Sequence, residues 1–100
     1  MPINMRIVRN DMGEALSFPD FEDGSRLKEL AQSIANALDT IAFRPVGSPL
    51  ERLVGFVGYP EQFALWWDGF TCELGCSAVC GVNMDEIADR LVASKAFTIA

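Results

Sequence analysis

Three evenly spaced cysteines are the residues of this chain most able to do chemistry. Cys72, Cys76 and Cys80 form a Cys-x3-Cys-x3-Cys pattern, and the chain has no histidine. On a strand, residues four apart are separated by about 13 Å, whereas each thiolate must lie about 2.3 Å from a shared Zn²⁺. On a helix, the outer pair lies about 12 Å apart. The pattern therefore predicts no metal site and three reduced thiols, buried as small apolar side chains.

Other routes to catalysis are equally poor in candidates. The lack of histidine removes the usual bases that activate a serine or cysteine nucleophile. Asp68 and Glu73 are the one carboxylate pair of interest, but an aspartate in a turn commonly serves backbone geometry. We therefore predict no catalytic residue and no cofactor. A thiol enzyme that uses Cys76 or Cys80 stays open as an alternative.

Composition and charge bound the class of protein. The chain has 100 residues, half of them apolar, and a formal net charge of −6 from 14 acidic and 8 basic residues. This length predicts one domain, residues 1–100. The bases are scattered, so we expect no nucleic-acid partner. No apolar run approaches the roughly 18 residues that span a bilayer, and the N-terminus lacks a signal-peptide pattern. We therefore expect a cytoplasmic protein that does not enter the membrane.

Residues 63–74 read as two strands joined by Asp68-Gly69, a strong signal for a two-residue type I′ hairpin. This turn places Trp67 opposite Phe70. Because side chains alternate along a strand, one face is strongly apolar. Its predicted members are Phe63, Leu65, Trp67, Phe70, Cys72 and Leu74.

Two helices are predicted by apolar residues at i, i+3 and i+4. The first begins near Asp23 or Ser25, and its apolar stripe runs from Leu27 to Ala42. The second begins after Asn83, which suits the capping position, and its stripe runs from residue 84 to residue 92.

Further strands are predicted at residues 3–9, 15–18 and 52–57, while residues 46–49 read as a loop. Residues 77–82 and 96–99 are left undecided. The resulting order is ββαβββα, an α+β two-layer sandwich with a mainly antiparallel sheet of about five strands. Each helix has one apolar stripe, so we expect both on one face of the sheet. The alternative places them on opposite faces, because strand 52–57 is apolar on both sides.

Trp66 is the residue most suggestive of function, because it points away from the face that holds Trp67. An apolar patch there is either covered by the chain near Phe97 or near Phe18, or meets a partner. Strand 52–57 adds one of two alternating pairs: Val54 and Phe56, or Leu53 and Val57. The predicted interface residues are Trp66, Ala64, Thr71, Glu73, Phe56 and Val54.

These observations predict a non-enzymatic protein-interaction domain that forms a homodimer or binds a protein partner through the outer sheet face. The alternative is a small-ligand-binding domain. Its apolar pocket is then expected between helix one and the sheet, lined by Trp67, Phe63 and Phe70.

Overall fold

A computed structural model describes residues 2–11 and 13–100, with two helices and a single mixed sheet of seven strands. A short 3₁₀ turn, Pro19–Phe21, precedes the first helix. The helices are α1 (Leu27–Ala37) and α2 (Met84–Ala93). The strands are β1 (Ile3–Asn10), β2 (Gly13–Ser17), β3 (Val46–Ser48), β4 (Glu51–Gly55), β5 (Phe63–Trp67), β6 (Cys72–Cys76) and β7 (Phe97–Ile99).

The strands lie in the order β3-β4-β5-β6-β2-β1-β7. All neighbours are antiparallel except β1 and β7, which run parallel. The α+β class agrees with the sequence prediction, but the sheet has two strands more than the predicted five. The additional strands, β3 and β7, form the two edges and have three residues each. Such short strands show no periodicity of their own, so residues 46–48 resembled a loop.

Both helices pack on the same face of the sheet. The side chains that face inward from the strands include Val54, Leu65 and Leu74, all fully buried. They form one core with Ile34 of α1 and Leu91 of α2. The first of the two expected arrangements is therefore the observed one, and no helix of the described chain covers the opposite face, which we call the outer face.

Helix α1 ends earlier than its apolar stripe predicts. Asp39 adopts a left-handed backbone conformation, with φ of 54°. The N–H of Thr40 donates to the carbonyl of Ala35 at 2.9 Å, and the N–H of Asp39 donates to Asn36 at 3.3 Å. These two bonds form a Schellman motif, which satisfies the last helix carbonyls and turns the chain away. Consequently residues 41–43 leave the helix and run beside β4.

The hairpin between β5 and β6 has a different turn from the predicted one. Trp67 pairs with Cys72 and not with Phe70, so the connection has four residues. A carboxylate oxygen of Asp68 accepts the N–H groups of Phe70 and Thr71 at 2.8 and 2.7 Å, which stabilises this wider loop. The predicted register is wrong by two residues, an even number, so the strand faces are unchanged. Phe70, however, is 82% exposed in the loop.

Trp67 attaches residues 19–24, which we call the acidic loop, to the sheet. Its indole N–H donates to the carbonyl of Glu22 at 2.7 Å. Gly24 lies beneath the same ring with φ of 75°, and a Cβ at this position would lie 2.5 Å from an indole carbon. Only glycine allows this approach, since it combines a left-handed backbone with the absence of a side chain. The contact fixes the chain just before α1.

Gly24→Ala is therefore expected to destabilise the fold more than Gly81→Ala. Gly81 has a similar φ of 74° but nothing within 4 Å of its added Cβ. The control should cost about 1 kcal/mol for its backbone conformation alone. Gly24→Ala should cost about 1–3 kcal/mol more, from overpacking against the indole. Urea denaturation measures both, and equal losses would show that Trp67 does not pack on Gly24.

Candidate protein-interaction surface

A row of directly paired residues crosses the outer face of the sheet. Val46 of β3 pairs with Leu53, Leu53 pairs with Trp66, and Trp66 pairs with Glu73 of β6. Leu65 faces the core, so its neighbour Trp66 faces outward by strand alternation. The row therefore sets three apolar side chains side by side next to a carboxylate, and it continues through a serine of β2 to an arginine of β1.

The neighbouring row consists of the smallest residues. Gly55 pairs with Ala64, Ala64 with Gly75, and Gly75 with Ala15. A Cβ added at Gly75 would lie 3.1 Å from that of Ala15, so the neighbouring strands leave little room for a side chain at this position. Because no side chain of the row is larger than a methyl group, Trp66 beside it projects above the row.

The segment after α1 extends the apolar part of this face. An antiparallel bridge joins Ala42 to Phe56, and both side chains pack against the core. Strand alternation therefore directs Ile41, Phe43 and Val57 outward. The N–H of Val57 donates to the carbonyl of Ile41 at 3.0 Å, which holds the segment against β4. The Ile41 and Phe43 side chains are 70% and 58% exposed.

Together these side chains form a surface that we call the outer patch. Its members are Ile41, Phe43, Val46, Leu53, Val57 and Trp66. Polar residues border the outer patch: Glu51 and Asp68 lie at one end of the strands, and Glu61 lies at the other. An exposed apolar area with a polar rim is typical of an interaction site.

A cavity of about 420 Å³, the outer pocket, opens within the outer patch. Phe43 and Trp66 line it, and the small residues Gly55 and Ala64 leave the space between them. The ring of Phe43 lies 3.4 Å from the position of a Cβ on Gly55. This volume is within the range of about 300–1,000 Å³ typical of small-molecule sites.

The structure places the predicted interface residues in three different environments. Trp66, Ala64 and Glu73 lie on the outer face, as expected from their alternation. Thr71 lies in the hairpin loop, where its N–H donates to Asp68. Val54 and Phe56 are buried beneath the helices, because their strand turns this pair of side chains inward.

The outer-face positions of strand 52–57 accordingly belong to Leu53 and Val57, the other pair considered. The expected covering segments do not reach Trp66. Phe18 and Phe97 are buried in the core, where their ring centroids lie 5.9 Å apart.

The sequence pattern did not predict that Ile41, Phe43 and Val46 belong to this surface. Ile41 fitted the helical stripe, and Val46 followed Pro45 in an apparent loop. Asp39 was the available signal, since aspartate adopts the left-handed conformation more readily than most residues and so marks a possible helix end.

The three side chains expected to line a pocket between α1 and the sheet lie in different environments. Phe63 is fully buried and stacks on Tyr59, with ring centroids 5.0 Å apart. Trp67 is covered by the acidic loop, and Phe70 is exposed in the hairpin loop. Phe70 is therefore separated from the other two, because the wider loop removes it from the sheet.

The carboxylates near Trp66 have opposite pKa shifts. Partial burial raises the pKa of Glu73, and the nearby Asp68 adds to this effect. The backbone N–H groups of Thr71 and Phe70 lower the pKa of Asp68, since they bind its ionised form. The ionised form of Glu73 is therefore less stable here than in water, and a nearby cation would stabilise it.

The cysteines differ from the prediction of three reduced thiols. Cys76 and Cys80 form a disulfide, with Cα atoms 6.1 Å apart. They can meet because β6 ends at Cys76, so the following residues fold back instead of extending. Burial raises the pKa of the Cys72 thiol to about 12, and neighbouring carboxylates, Glu73 foremost, add to the shift. Neither the disulfide nor the protonated Cys72 thiol supplies the thiolate that a thiol enzyme needs.

Within residues 2–11 and 13–100, no three histidine, cysteine, aspartate or glutamate side chains are grouped to hold a metal ion. No helix of that same part of the chain is both long and apolar enough to cross a bilayer. Comparisons of the chain with protein-family models, with curated proteins and with solved structures returned no match.

A thiol count tests the assignment of the cysteines. In denaturant without reductant, we expect Ellman's reagent to detect one thiol per chain, that of Cys72. The native protein should react slowly, because Cys72 is buried and its thiol stays protonated. Prior reduction should restore all three cysteines of the sequence. A count of three without reductant would contradict the disulfide.

Proposed function

We propose that this chain is a non-enzymatic interaction protein that pairs with a second copy of itself through the outer patch. The observation that carries the proposal is the contiguous apolar surface around Trp66, which surrounds a cavity and is bordered by charges. Single exposed apolar residues are normal on any protein. A contiguous group of six large apolar side chains on a chain of 100 residues favours a binding surface instead.

The row that contains Leu53 and Trp66 favours a second copy as the partner. A two-fold interface brings one surface against itself, so the surface must be self-complementary. An axis midway between Leu53 and Trp66 would set each Leu53 over the Trp66 of the other copy. The same axis would set Val46, with Arg44 close by, over Glu73. Arg44 and Glu73 have opposite charges, and each would face the other across this axis.

This charge arrangement also suits Glu73 itself. Its raised pKa reflects partial loss of solvent without a cation in contact. Arg44 takes part in no ion pair within the described part of the chain. Pairing between copies would thus satisfy two groups that each copy leaves without a counterion. Such rim pairs contribute more to orientation than to affinity.

The size of the outer face predicts a weak association. About this axis only four strands, β3, β4, β5 and β6, face their counterparts, because β2, β1 and β7 extend beyond the β3 edge of the other copy. Four strands about 4.8 Å apart and about 17 Å long give roughly 330 Å² per copy, or about 650 Å² for two copies. This area is below the roughly 1,200 Å² of stable specific interfaces. We therefore expect a dimer that dissociates on dilution.

Solution mass tests the proposal directly. Light scattering from about 10 µM to about 1 mM should show a mass rising from monomer to dimer. Ile41→Glu and Trp66→Glu should each weaken association at least about tenfold, because a buried unpaired charge is costly. Both side chains lie outside the core, so circular dichroism should not change.

Val79→Glu is the matched control. Val79 is 99% exposed and lies outside the outer patch, so the same charge there should leave association intact. The proposal fails if the wild-type chain stays monomeric at the highest concentration. It fails equally if Val79→Glu weakens association as much as Ile41→Glu does.

A further inference from the structure

A second cavity, the cationic pocket, lies beside the outer pocket at the β3 edge of the sheet. It measures about 600 Å³ and is lined by three cations from separate parts of the chain. Lys28 comes from α1, Arg44 from the segment before β3, and Arg52 from β4. No acidic side chain lines this cavity, although the whole chain has 14 acids and a net charge of −6.

These three cations have no counterions in the described part of the chain. The ion pairs found there engage other cations, Arg9 and Arg26. Ser48 also lines the cationic pocket, and its oxygen accepts the N–H of Leu50 at 3.1 Å. This bond uses a lone pair of the Ser48 oxygen, so the hydroxyl proton can be donated to another acceptor. Three cations and a hydroxyl donor around one cavity favour the binding of an anionic group.

The two cavities share a border. Arg44 lines both, so it stands between the outer pocket and the other two cations. Arg52 pairs with Trp67, which faces the helices, and Lys28 belongs to α1, so these two cations lie on the helix side of the β3 edge. Glu61 lines the outer pocket at the far end of the strands. A bound anion is therefore oriented with its negative group at Arg44 and away from Glu61.

We infer that the two cavities together bind an amphiphilic anion, a small molecule with an apolar body and a carboxylate head. The apolar body occupies the outer pocket between Phe43 and Trp66. The carboxylate lies at Arg44, within the field of Lys28 and Arg52. Neither cavity alone specifies this ligand, because the outer pocket has the carboxylate of Glu61 as well as one cation, and the cationic pocket lacks the aromatic walls of Phe43 and Trp66.

This inference goes beyond self-association and uses the residues of one copy. Ile41 lines neither cavity, so Ile41→Glu leaves both intact while opposing the pairing of copies. Titrations on this variant therefore test ligand binding in the absence of a second copy. If the wild-type chain is itself monomeric, the same titrations apply to it unchanged.

The experiment compares octanoate, octanol and inorganic phosphate by isothermal titration calorimetry. Octanoate should bind saturably, one molecule per chain, and at least about tenfold more tightly than either other probe. Hexanoate should bind about tenfold more weakly than octanoate, because each buried methylene contributes about threefold to fourfold in affinity.

Variants separate the two parts of the site. Arg44→Gln should weaken octanoate binding about tenfold and leave octanol binding unchanged. Ala64→Leu, which places a larger side chain in the outer pocket, should weaken octanoate and octanol alike. Lys95→Gln is the control, since it removes an exposed cation that lines neither cavity.

Three results would overturn the inference. Octanol binding as tightly as octanoate would remove the role of the cations, and phosphate doing so would remove the role of the outer pocket. The absence of saturable octanoate binding would remove the site. Each of these outcomes leaves the light-scattering results on Ile41→Glu and Val79→Glu untouched, so the two proposals stand or fall separately.

Discussion

Burial of one face of the sheet against both helices is the constraint on which the rest of the structure depends. The core joins α1 and α2 to the inward side chains of the strands. Because neighbouring strand residues point to opposite faces, burial of Leu65 requires that Trp66 lies outside. The same rule turns Val54 inward and Leu53 outward. The identity of the buried sheet face thus determines which apolar residues stabilise the fold and which form the outer patch.

The two adjacent tryptophans have different roles as a result. Trp67 closes the edge of the core, where its indole covers Gly24 and donates a hydrogen bond to Glu22. Trp66 projects above the row of small residues that contains Ala64. A bulky residue in place of Ala64 would fill the outer pocket, so the small side chains of this row leave the space that the pocket occupies.

Charge adds direction to an otherwise apolar surface. The chain has a net negative charge, which repels most anions. Lys28, Arg44 and Arg52 nevertheless line one cavity that has no acidic side chain in its lining. Glu73, at the far side of Trp66, has a raised pKa. Arg44 and Glu73 thus place opposite charges on the two sides of Trp66, and each proposed mode of binding uses at least one of these charges.

The sequence by itself determined the fold class, both helix positions and the strand alternation, because these follow from local periodicity. Asn83 begins α2 as its side chain predicts, accepting N–H groups at 3.0 and 3.3 Å. The end of α1 after Ala37 and the hairpin register depend on local backbone hydrogen bonds, at Asp39 and at Asp68, which the apolar periodicity does not specify. Tertiary structure decided the edge strands, which depend on hydrogen bonds between distant segments. It also decided the site: Phe43 and Trp66 are 23 positions apart in the chain. Only the pairing of residues 41–43 with β4 brings them to one cavity, and no local pattern specifies that pairing.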